Sequence, residues 1–269
     1  MTRLIAIAIA LSCIAVVAAR GGNPTAGPVI AVGGGGTPET VFERALELAG
    51  SNRAVVVIPH ASQTESRGEA TADAWRKAGA RRVTNLDGKI DLASKRARAL
   101  IESAGIVWFP GGSQVRLCAA LEEAKLTRLI AERHLAGAVV GGTSAGAAAV
   151  SEVMISGAPE PAAFHVGAMR PHKGLGLLPW AIVDQHFVER GRNSRLLTAV
   201  LDHPQRLGVG ISERTAIITN AKGFEVLGAG PVVVYDATAA EIGGGKLGEP
   251  RGARGVVIDV LQAGDRFER

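Results

Sequence analysis

Ser144 stands in the pentapeptide Gly142–Gly146 (GTSAG), a spacing typical of a serine that attacks a carbonyl carbon. That chemistry needs a sharp turn between a strand and a helix, which lifts the hydroxyl above the edge of a sheet. The flanking residues must be small, because the backbones approach each other closely there. An apolar segment, residues 138–140, precedes the turn, and an alanine-rich segment, residues 145–149, follows it. We therefore predict a nucleophile at Ser144, with a passive serine in a glycine-rich turn as the alternative.

A serine nucleophile needs a base, and His186 has the most favourable context among the six histidines. It ends an apolar segment, and open α/β sheets build their sites at such strand ends. Asp184 and Gln185 are polar at the end of a buried strand, which is costly unless they have a task or partners. Glu213 follows another apolar segment and is the candidate acid behind the imidazole. Taken alone, His186 could be structural and Glu213 a turn residue.

The oxygen of an attacked carbonyl becomes negative and needs backbone N–H donors. The amide of Ala145 is one candidate, and the paired glycines at a strand end, Gly111 and Gly112, offer another. Gln114 follows these glycines and would face the same cleft. Cations that could bind substrate carboxylates through forked hydrogen bonds follow His186; they are Arg190, Arg192 and Arg195. The alternatives are an ordinary turn at residues 109–114 and a solvent-exposed helix start at residues 189–195.

Up to residue 140, apolar runs alternate with amphipathic patterns, as in a parallel sheet that helices cover on both faces. After Pro204 the pattern changes to more closely spaced strands. The predicted strands are residues 28–32, 53–59, 82–86, 106–109, 138–140, 180–183, 207–210, 215–219, 224–227, 232–235 and 256–261. The predicted helices are residues 37–50, 71–78, 91–104, 114–121 and 127–135. A hairpin turn is expected at residues 220–223. We see no repeat and no linker, and therefore expect one α/β domain.

The composition excludes several classes of protein. Of 269 residues, 20% are charged and 47% are hydrophobic, as in a globular chain. The net charge of +5 favours anionic partners mildly, but aromatic residues make up only 4% and no Lys/Arg run stands out, so we expect no nucleic-acid partner. No cluster of His, Cys or acids has ligand spacing, so we expect no metal and no cofactor. A dinucleotide loop at residues 33–36 is a weak alternative, since Thr37-Pro38 replaces its third glycine.

The N-terminus has the pattern of a secretory signal: a positive start, an unbroken apolar run and small residues up to Ala19. We expect residues 1–19 to be a signal peptide and residues 20–269 to be exported to the periplasm or the medium. The alternatives are an uncleaved anchor, for which the run is short, and a lipoprotein modified at Cys13. Cleavage would leave Cys118 alone, without an internal disulfide. No other stretch could cross a membrane, so we expect no stable membrane partner.

Four segments, in this order, resemble the cyanophycinases, which are exported or cytoplasmic serine peptidases related to aspartyl dipeptidases. The segments are Gly141–Ala147, Gly174–Pro179, Asp184–Phe187 and Gly208–Glu213. The resemblance covers roughly residues 28–240, and the proposed base and acid follow the serine by 42 and 69 residues, as in that family.

The resemblance implies a three-layer α/β/α fold with a mostly parallel sheet, of the flavodoxin-like or class I glutamine amidotransferase-like type. It implies Ser144 as nucleophile, His186 as base and Glu213 as acid. The family's substrate pocket would map onto Gln114, Asp184, Gln185, Arg190, Arg192 and Arg195. Its substrate is cyanophycin, a polyaspartate whose side chains carry arginine through isopeptide bonds, and its product is the β-Asp-Arg dipeptide. We therefore expect hydrolysis of cyanophycin through an acyl-enzyme, with a homodimer as one assembly to test.

One departure from the family bears on substrate choice: Ser113 stands where many relatives have aspartate. An aspartyl or isoaspartyl dipeptidase of the same fold is therefore an alternative. A second alternative is an α/β-hydrolase esterase, whose order of serine, acid and histidine would be met by Ser144, Asp184 and His203. A third is an exported binding protein that keeps the fold and the pocket without catalysis.

Overall fold

The computed structural model describes residues 26–64, 66–157 and 163–269. The expected signal peptide, residues 1–19, lies outside the described residues. Within the described part of the chain, the helices are too short or too polar to span a bilayer.

Five parallel strands form the central part of an eight-stranded sheet, in the order β1-β5-β4-β2-β3. They are β1 (Val29–Val32), β2 (Ala54–Val57), β3 (Arg82–Asn85), β4 (Ile106–Phe109) and β5 (Val139–Thr143). Successive side chains of a strand point to opposite faces, so Ile30 and Val32 enter one core cluster and Val29 and Ala31 the other. Both faces are covered, which explains why β1, β2 and β4 are apolar throughout, whereas β3 at the edge of the sheet contains polar residues.

Helices cover the two faces of this sheet. On one face lie α1 (Glu39–Leu48) and α2 (Ser66–Lys77), which bury Phe42 and Trp75 against the strands. On the other face lie α3 (Lys95–Ser103), α4 (Gln114–Glu123), α5 (Thr127–Leu135) and the short α6 (Ala145–Ala149). The predicted α/β fold with a mostly parallel central sheet is confirmed.

The second half of the chain forms the remaining strands and one helix. A hairpin of β6 (Val153–Ile155) and β7 (Pro171–Lys173) leads to β8 (Ala181–Gln185), α7 (Asn193–Asp202) and β9 (Leu207–Ile211). The later strands are β10 (Thr215–Thr219), β11 (Gly223–Gly228), β12 (Val232–Asp236), β13 (Glu241–Ile242), β14 (Ala253–Arg254), β15 (Val257–Leu261) and β16 (Arg266–Glu268). Strands β10, β11 and β16 extend the central sheet in antiparallel fashion, and the predicted turn at 220–223 joins β10 to β11.

A second sheet, with the order β15-β12-β9-β8, differs from the arrangement expected from the sequence. Its inner residues, among them Val183, Val209 and Val234, share one core cluster with α6 and the central sheet. Helix α7 packs through Leu196 and Val200 on its other side. Because both faces of β8, β9 and β12 are buried, these three strands have the same apolar pattern as strands of the central sheet, whereas β15 at the edge is largely exposed. As a result, the proposed base and acid come from one sheet and the proposed nucleophile from the other.

Candidate active site

Ser144 lies between β5 and α6, where the backbone turns sharply. Its φ of 54° and ψ of −112° fall in a region that non-glycine residues rarely adopt. Its N–H donates to the carbonyl oxygen of Val32 in β1 at 2.9 Å. A Cβ atom on Gly142 or Gly146 would lie 2.4 or 2.1 Å from the carbonyl oxygen of Phe109. Both glycines of the pentapeptide are therefore needed for this turn to pack against β4.

Three side chains form a continuous hydrogen-bonded chain. Ser144 Oγ lies 2.9 Å from His186 Nε2, and His186 Nδ1 lies 2.5 Å from Glu213 Oε1. His186 directly follows β8, and Glu213 lies just beyond β9. When Nδ1 carries the ring proton and donates a hydrogen bond to the carboxylate, Nε2 is unprotonated and can accept the serine proton. The arrangement can therefore activate the hydroxyl as a nucleophile.

The glycine loop Gly33–Gly36 packs directly on the imidazole and the carboxylate. A Cβ atom on Gly34 would lie 2.2 Å from His186 Cε1, and one on Gly35 would lie 2.5 Å from Glu213 Oε2. The backbone N–H of His186 donates to the carbonyl oxygen of Gly33, the first glycine of the loop, at 2.7 Å. The loop thus positions the base and the acid, a role that sequence reasoning missed. The signal for it was a run of glycines directly after the first strand.

A cleft of about 610 Å³ opens beside Ser144. Most of the predicted site residues line it, namely Gly111, Gly112, Gln114, Ser144, Gln185, His186, Arg190 and Arg192. Asp184 and Arg195 are not among its lining residues. Side chains that sequence reasoning did not single out complete the wall, among them Thr37, Phe42, Arg67, Thr71 and Trp108.

The predicted oxyanion donors lie on both sides of Ser144. A Cβ atom on Gly111 would lie 3.3 Å from Ser144 Cβ, so this glycine is in close contact with the serine. Gly112 has a φ of 147°, and a Cβ atom there would lie 2.1 Å from the carbonyl oxygen of Ala61. Ala145 is the first residue of α6, so its N–H has no acceptor within its own helix. Their role as oxyanion donors stays a prediction.

The two predicted glutamines occupy different positions. Gln185 Oε1 lies 3.4 Å from Ser144 Oγ, which places this amide beside the nucleophile. Gln114 is 3% exposed, and its Nε2 donates to the carbonyl oxygen of Ile155 at 2.9 Å. This bond fixes the direction of the Gln114 side chain where it borders the cleft.

Ser113 caps helix α4. Its Oγ accepts the backbone N–H of Arg116 at 3.3 Å. Aspartate is an equally good N-cap residue, so the departure from the family pattern preserves the start of this helix.

Asp184 bonds to two arginines instead of facing the cleft. It is 1% exposed and accepts from Arg195 Nε at 2.9 Å and Nη2 at 2.5 Å, and from Arg192 Nη1 at 3.4 Å. Arg192 also donates to the carbonyl oxygen of Gln185. The substrate contacts of Asp184 and Arg195 stay a prediction: in this structure the two side chains pair with each other, because a buried carboxylate requires cationic partners.

The two remaining arginines, Arg190 and Arg192, border the cleft and differ in burial and in their ion pairs. Burial lowers the pKa of Arg192 to about 10, so its guanidinium is still protonated at neutral pH. Arg190 is exposed and takes part in none of the ion pairs of the described residues. Arg190 is therefore free to bind a carboxylate ligand.

We expect Asp184→Asn to lower the free energy of unfolding by about 3–5 kcal/mol, because it leaves a buried guanidinium unpaired. The matched control is Asp73→Asn, which breaks an exposed ion pair with Arg76 and should leave the free energy of unfolding nearly unchanged. Chemical denaturation of both variants measures the two costs. Equal losses would contradict the structural role of Asp184.

The alternative set of Ser144, Asp184 and His203 is not assembled. The carboxylate of Asp184 is held by arginines, and the imidazole that contacts Ser144 Oγ is His186. Cys118 is not an alternative nucleophile, because burial raises the pKa of its thiol to about 11. Among residues 26–64, 66–157 and 163–269, no group of three His, Cys, Asp or Glu residues could hold a metal ion.

Solved structures with the same fold include a peptidase from an acI-B1 Actinobacterium, with a TM-score of 0.67 at 20% identity. The match covers 92% of this chain and 98% of that one. A putative peptidase E from Listeria monocytogenes matches with a TM-score of 0.56 at 19% identity, over 76% of this chain and 99% of that one.

Sequence comparisons are more specific. The cyanophycinase of Geminocystis herdmanii is 34% identical over 238 residues, which cover 85% of this chain and 88% of that protein. The cyanophycinase of Trichormus variabilis is 35% identical over 231 residues, covering 81% and 76%. The model of peptidase family S51 matches residues 29–227. The chain therefore belongs to peptidase family S51, as a serine peptidase of the cyanophycinase and peptidase E type.

Proposed function

We propose that this peptidase hydrolyses cyanophycin to β-Asp-Arg dipeptides through an acyl-enzyme on Ser144. The observation that carries the proposal is the chain of hydrogen bonds from Ser144 through His186 to Glu213, at 2.9 and 2.5 Å, beside an arginine-lined cleft. The cyanophycinase relatives support the choice of substrate.

In the first step, His186 Nε2 takes the proton of Ser144 as Oγ attacks the carbonyl carbon. The dipeptide product keeps its isopeptide bond, so the carbonyl under attack belongs to the aspartyl main chain. The amides of Ala145 and of Gly111 or Gly112 would donate to the oxyanion. The imidazolium, stabilised by Glu213, then gives its proton to the leaving amine as the C–N bond breaks.

In the second step, a water molecule gives a proton to His186 and attacks the acyl carbon. The ester bond to Ser144 breaks, and the imidazolium returns its proton to the serine oxygen. The enzyme leaves this step in its starting protonation state, so the cycle needs no metal or cofactor.

The arginines on the cleft wall fit a substrate that carries a carboxylate on each branch. Arg67, Arg190 and Arg192 line the cleft and can bind the carboxylates of the arginine branches. Phe42 and Trp108 also border the cleft, but at 6% and 0% exposure they belong to the core behind its wall and offer no open ring face to a ligand.

Incubation of the purified protein with insoluble cyanophycin, followed by mass spectrometry of the soluble products, tests the proposal. We expect β-Asp-Arg as the main product. If free arginine appeared instead, the enzyme would cleave the isopeptide bond. If only small β-aspartyl peptides were hydrolysed, the chain would be a dipeptidase of the same fold.

We further propose that residues 1–19 direct export of this enzyme, on the strength of the charged start and the apolar run. Determination of the N-terminus of the protein recovered outside the cytoplasm tests this, and we expect it at Arg20. An intact N-terminus would favour the anchor.

Gly34→Ala should lower kcat/KM about 100-fold, because the new Cβ atom would displace the imidazole of His186. Gly79→Ala is the matched control, at a glycine that lines neither the cleft nor any other part of the site. Gly34 and Gly79 have similar φ values, 103° and 98°, but a Cβ atom on Gly79 would meet nothing within 4 Å. Alanine is thus strained at either position, and only at Gly34 does it reach the base. Equal losses of activity in the two variants would contradict the positioning role of the loop.

A further inference from the structure

A second hollow, of about 900 Å³, lies beside the catalytic cleft. It is bounded by α1, by β11, by residues 263–266 and by the loop Gly35–Pro38. Gly35, Gly36 and Thr37 line both cavities. The hollow and the cleft are therefore neighbours, separated by one short stretch of backbone.

The hollow carries an excess of positive charge. Arg44, Arg214 and Arg266 line it, against a single carboxylate, Glu225. Glu225 lies 3.3 Å from Arg44 and 4.0 Å from Arg266, and Arg44 also pairs with Glu47 outside the hollow. Arg214 forms no ion pair with any of the described residues. A concave surface with charges of one sign concentrates ligands of the opposite sign, so the hollow favours carboxylates.

The wall between the two cavities is formed in part by Gly35 and Gly36, so no side chain projects from it at these positions. Gly36 lies at a φ of 99° with open space where a Cβ atom would be. Gly35 has its Cβ position occupied by the carboxylate of Glu213. Arg214 directly follows Glu213, and its N–H donates to the carbonyl oxygen of Gly34 at 2.7 Å. An extended chain can thus pass over the glycine backbone from the cleft to the arginines.

We propose that the hollow is an accessory site for carboxylates of the substrate chain beyond the unit that Ser144 attacks. The inference rests on the proposed function for the identity of the chain, in which each arginine branch carries one carboxylate. These carboxylates bind to Arg214 and Arg266 while the scissile bond stays at Ser144. The site strengthens the binding of long chains without changing the chemical step.

The test compares a double variant of the hollow, Arg214→Gln with Arg266→Gln, with a control that loses the same charge. The control is Arg81→Gln with Arg96→Gln, two exposed arginines that line neither cavity. The substrates are synthetic β-Asp-Arg chains of two units and of six units. We expect the hollow variant to raise KM for the six-unit chain about fivefold to tenfold, as two exposed charge contacts are lost. KM for the two-unit chain and kcat for both should stay within about twofold, and the control should change neither.

A binding measurement separates this inference from the proposed function. Fluorescein-labelled hexa-aspartate is titrated into Ser144→Ala protein with and without the hollow substitutions, at low and high salt. We expect weaker binding in the hollow variant, with a smaller salt dependence. If the wild-type enzyme hydrolysed neither chain, the proposed function would fail and this titration would still decide on the hollow. Equal affinities and equal KM values in the hollow and control variants would overturn the accessory site, as would an equal rise of KM for both chains.

Discussion

Replacement of Ser144 by alanine should lower the release of β-Asp-Arg by at least about 10⁴-fold, because the nucleophile is lost and water must attack the carbonyl directly. The fold should be unaffected, since among the described residues the hydroxyl has polar contacts only with His186 and Gln185. The rate of dipeptide release at saturating substrate measures the effect. Binding of substrate should persist, which separates the loss of chemistry from a loss of affinity.

Ser103→Ala is the control for this prediction. Ser103 lies on the exposed end of α3, and its hydroxyl donates to the carbonyl oxygen of Leu100. We expect this variant to keep full activity. Substantial hydrolysis by Ser144→Ala, with the wild-type product, would show that another group is the nucleophile.

The His186→Ala substitution should cost nearly as much as the loss of Ser144, because a serine without its base is almost unreactive. The double variant, Ser144→Ala with His186→Ala, should be no slower than either single variant, since the two groups act as one unit. Rates of dipeptide release from the three variants, at one pH, provide the comparison.

His203→Ala serves as the matched control, because His203 is the base in the alternative esterase set. It lies at the end of α7 and does not contact Ser144 Oγ. We expect it to retain activity within about threefold, as do most substitutions away from a site. Loss of activity in His203→Ala but not in His186→Ala would reverse the assignment of the base.

The three residues of the hydrogen-bonded chain could be identified from the sequence because each follows an apolar run. Ser144, His186 and Glu213 all stand where a buried strand ends, and strand ends gather at one edge of a sheet. The apolar runs themselves could not show which sheet a strand joins. Strands β8 and β9 are buried on both faces, with Val183 and Val209 in the core, so their sequences look like those of strands in the central sheet.

The ion pairs and close contacts around the site could not be predicted. Asp184 and Arg195 are eleven positions apart, and their pairing depends on how α7 packs against β8. The need for glycine at Gly34 depends on how near His186 comes, which only the meeting of the two sheets decides. A glycine cluster after a strand is also typical of a nucleotide-binding loop, so local pattern alone could not distinguish the two roles.

The most direct test of the account is to modify the enzyme stepwise with a fluorophosphonate and to measure the remaining hydrolysis of cyanophycin. Mass spectrometry of the digested protein locates the adduct. We predict one adduct per molecule, on Ser144, with activity lost in proportion to labelling, and no adduct in Ser144→Ala. Full hydrolysis by completely labelled enzyme, or an inactivating adduct on another residue with Ser144 unmodified, would contradict a covalent mechanism at Ser144.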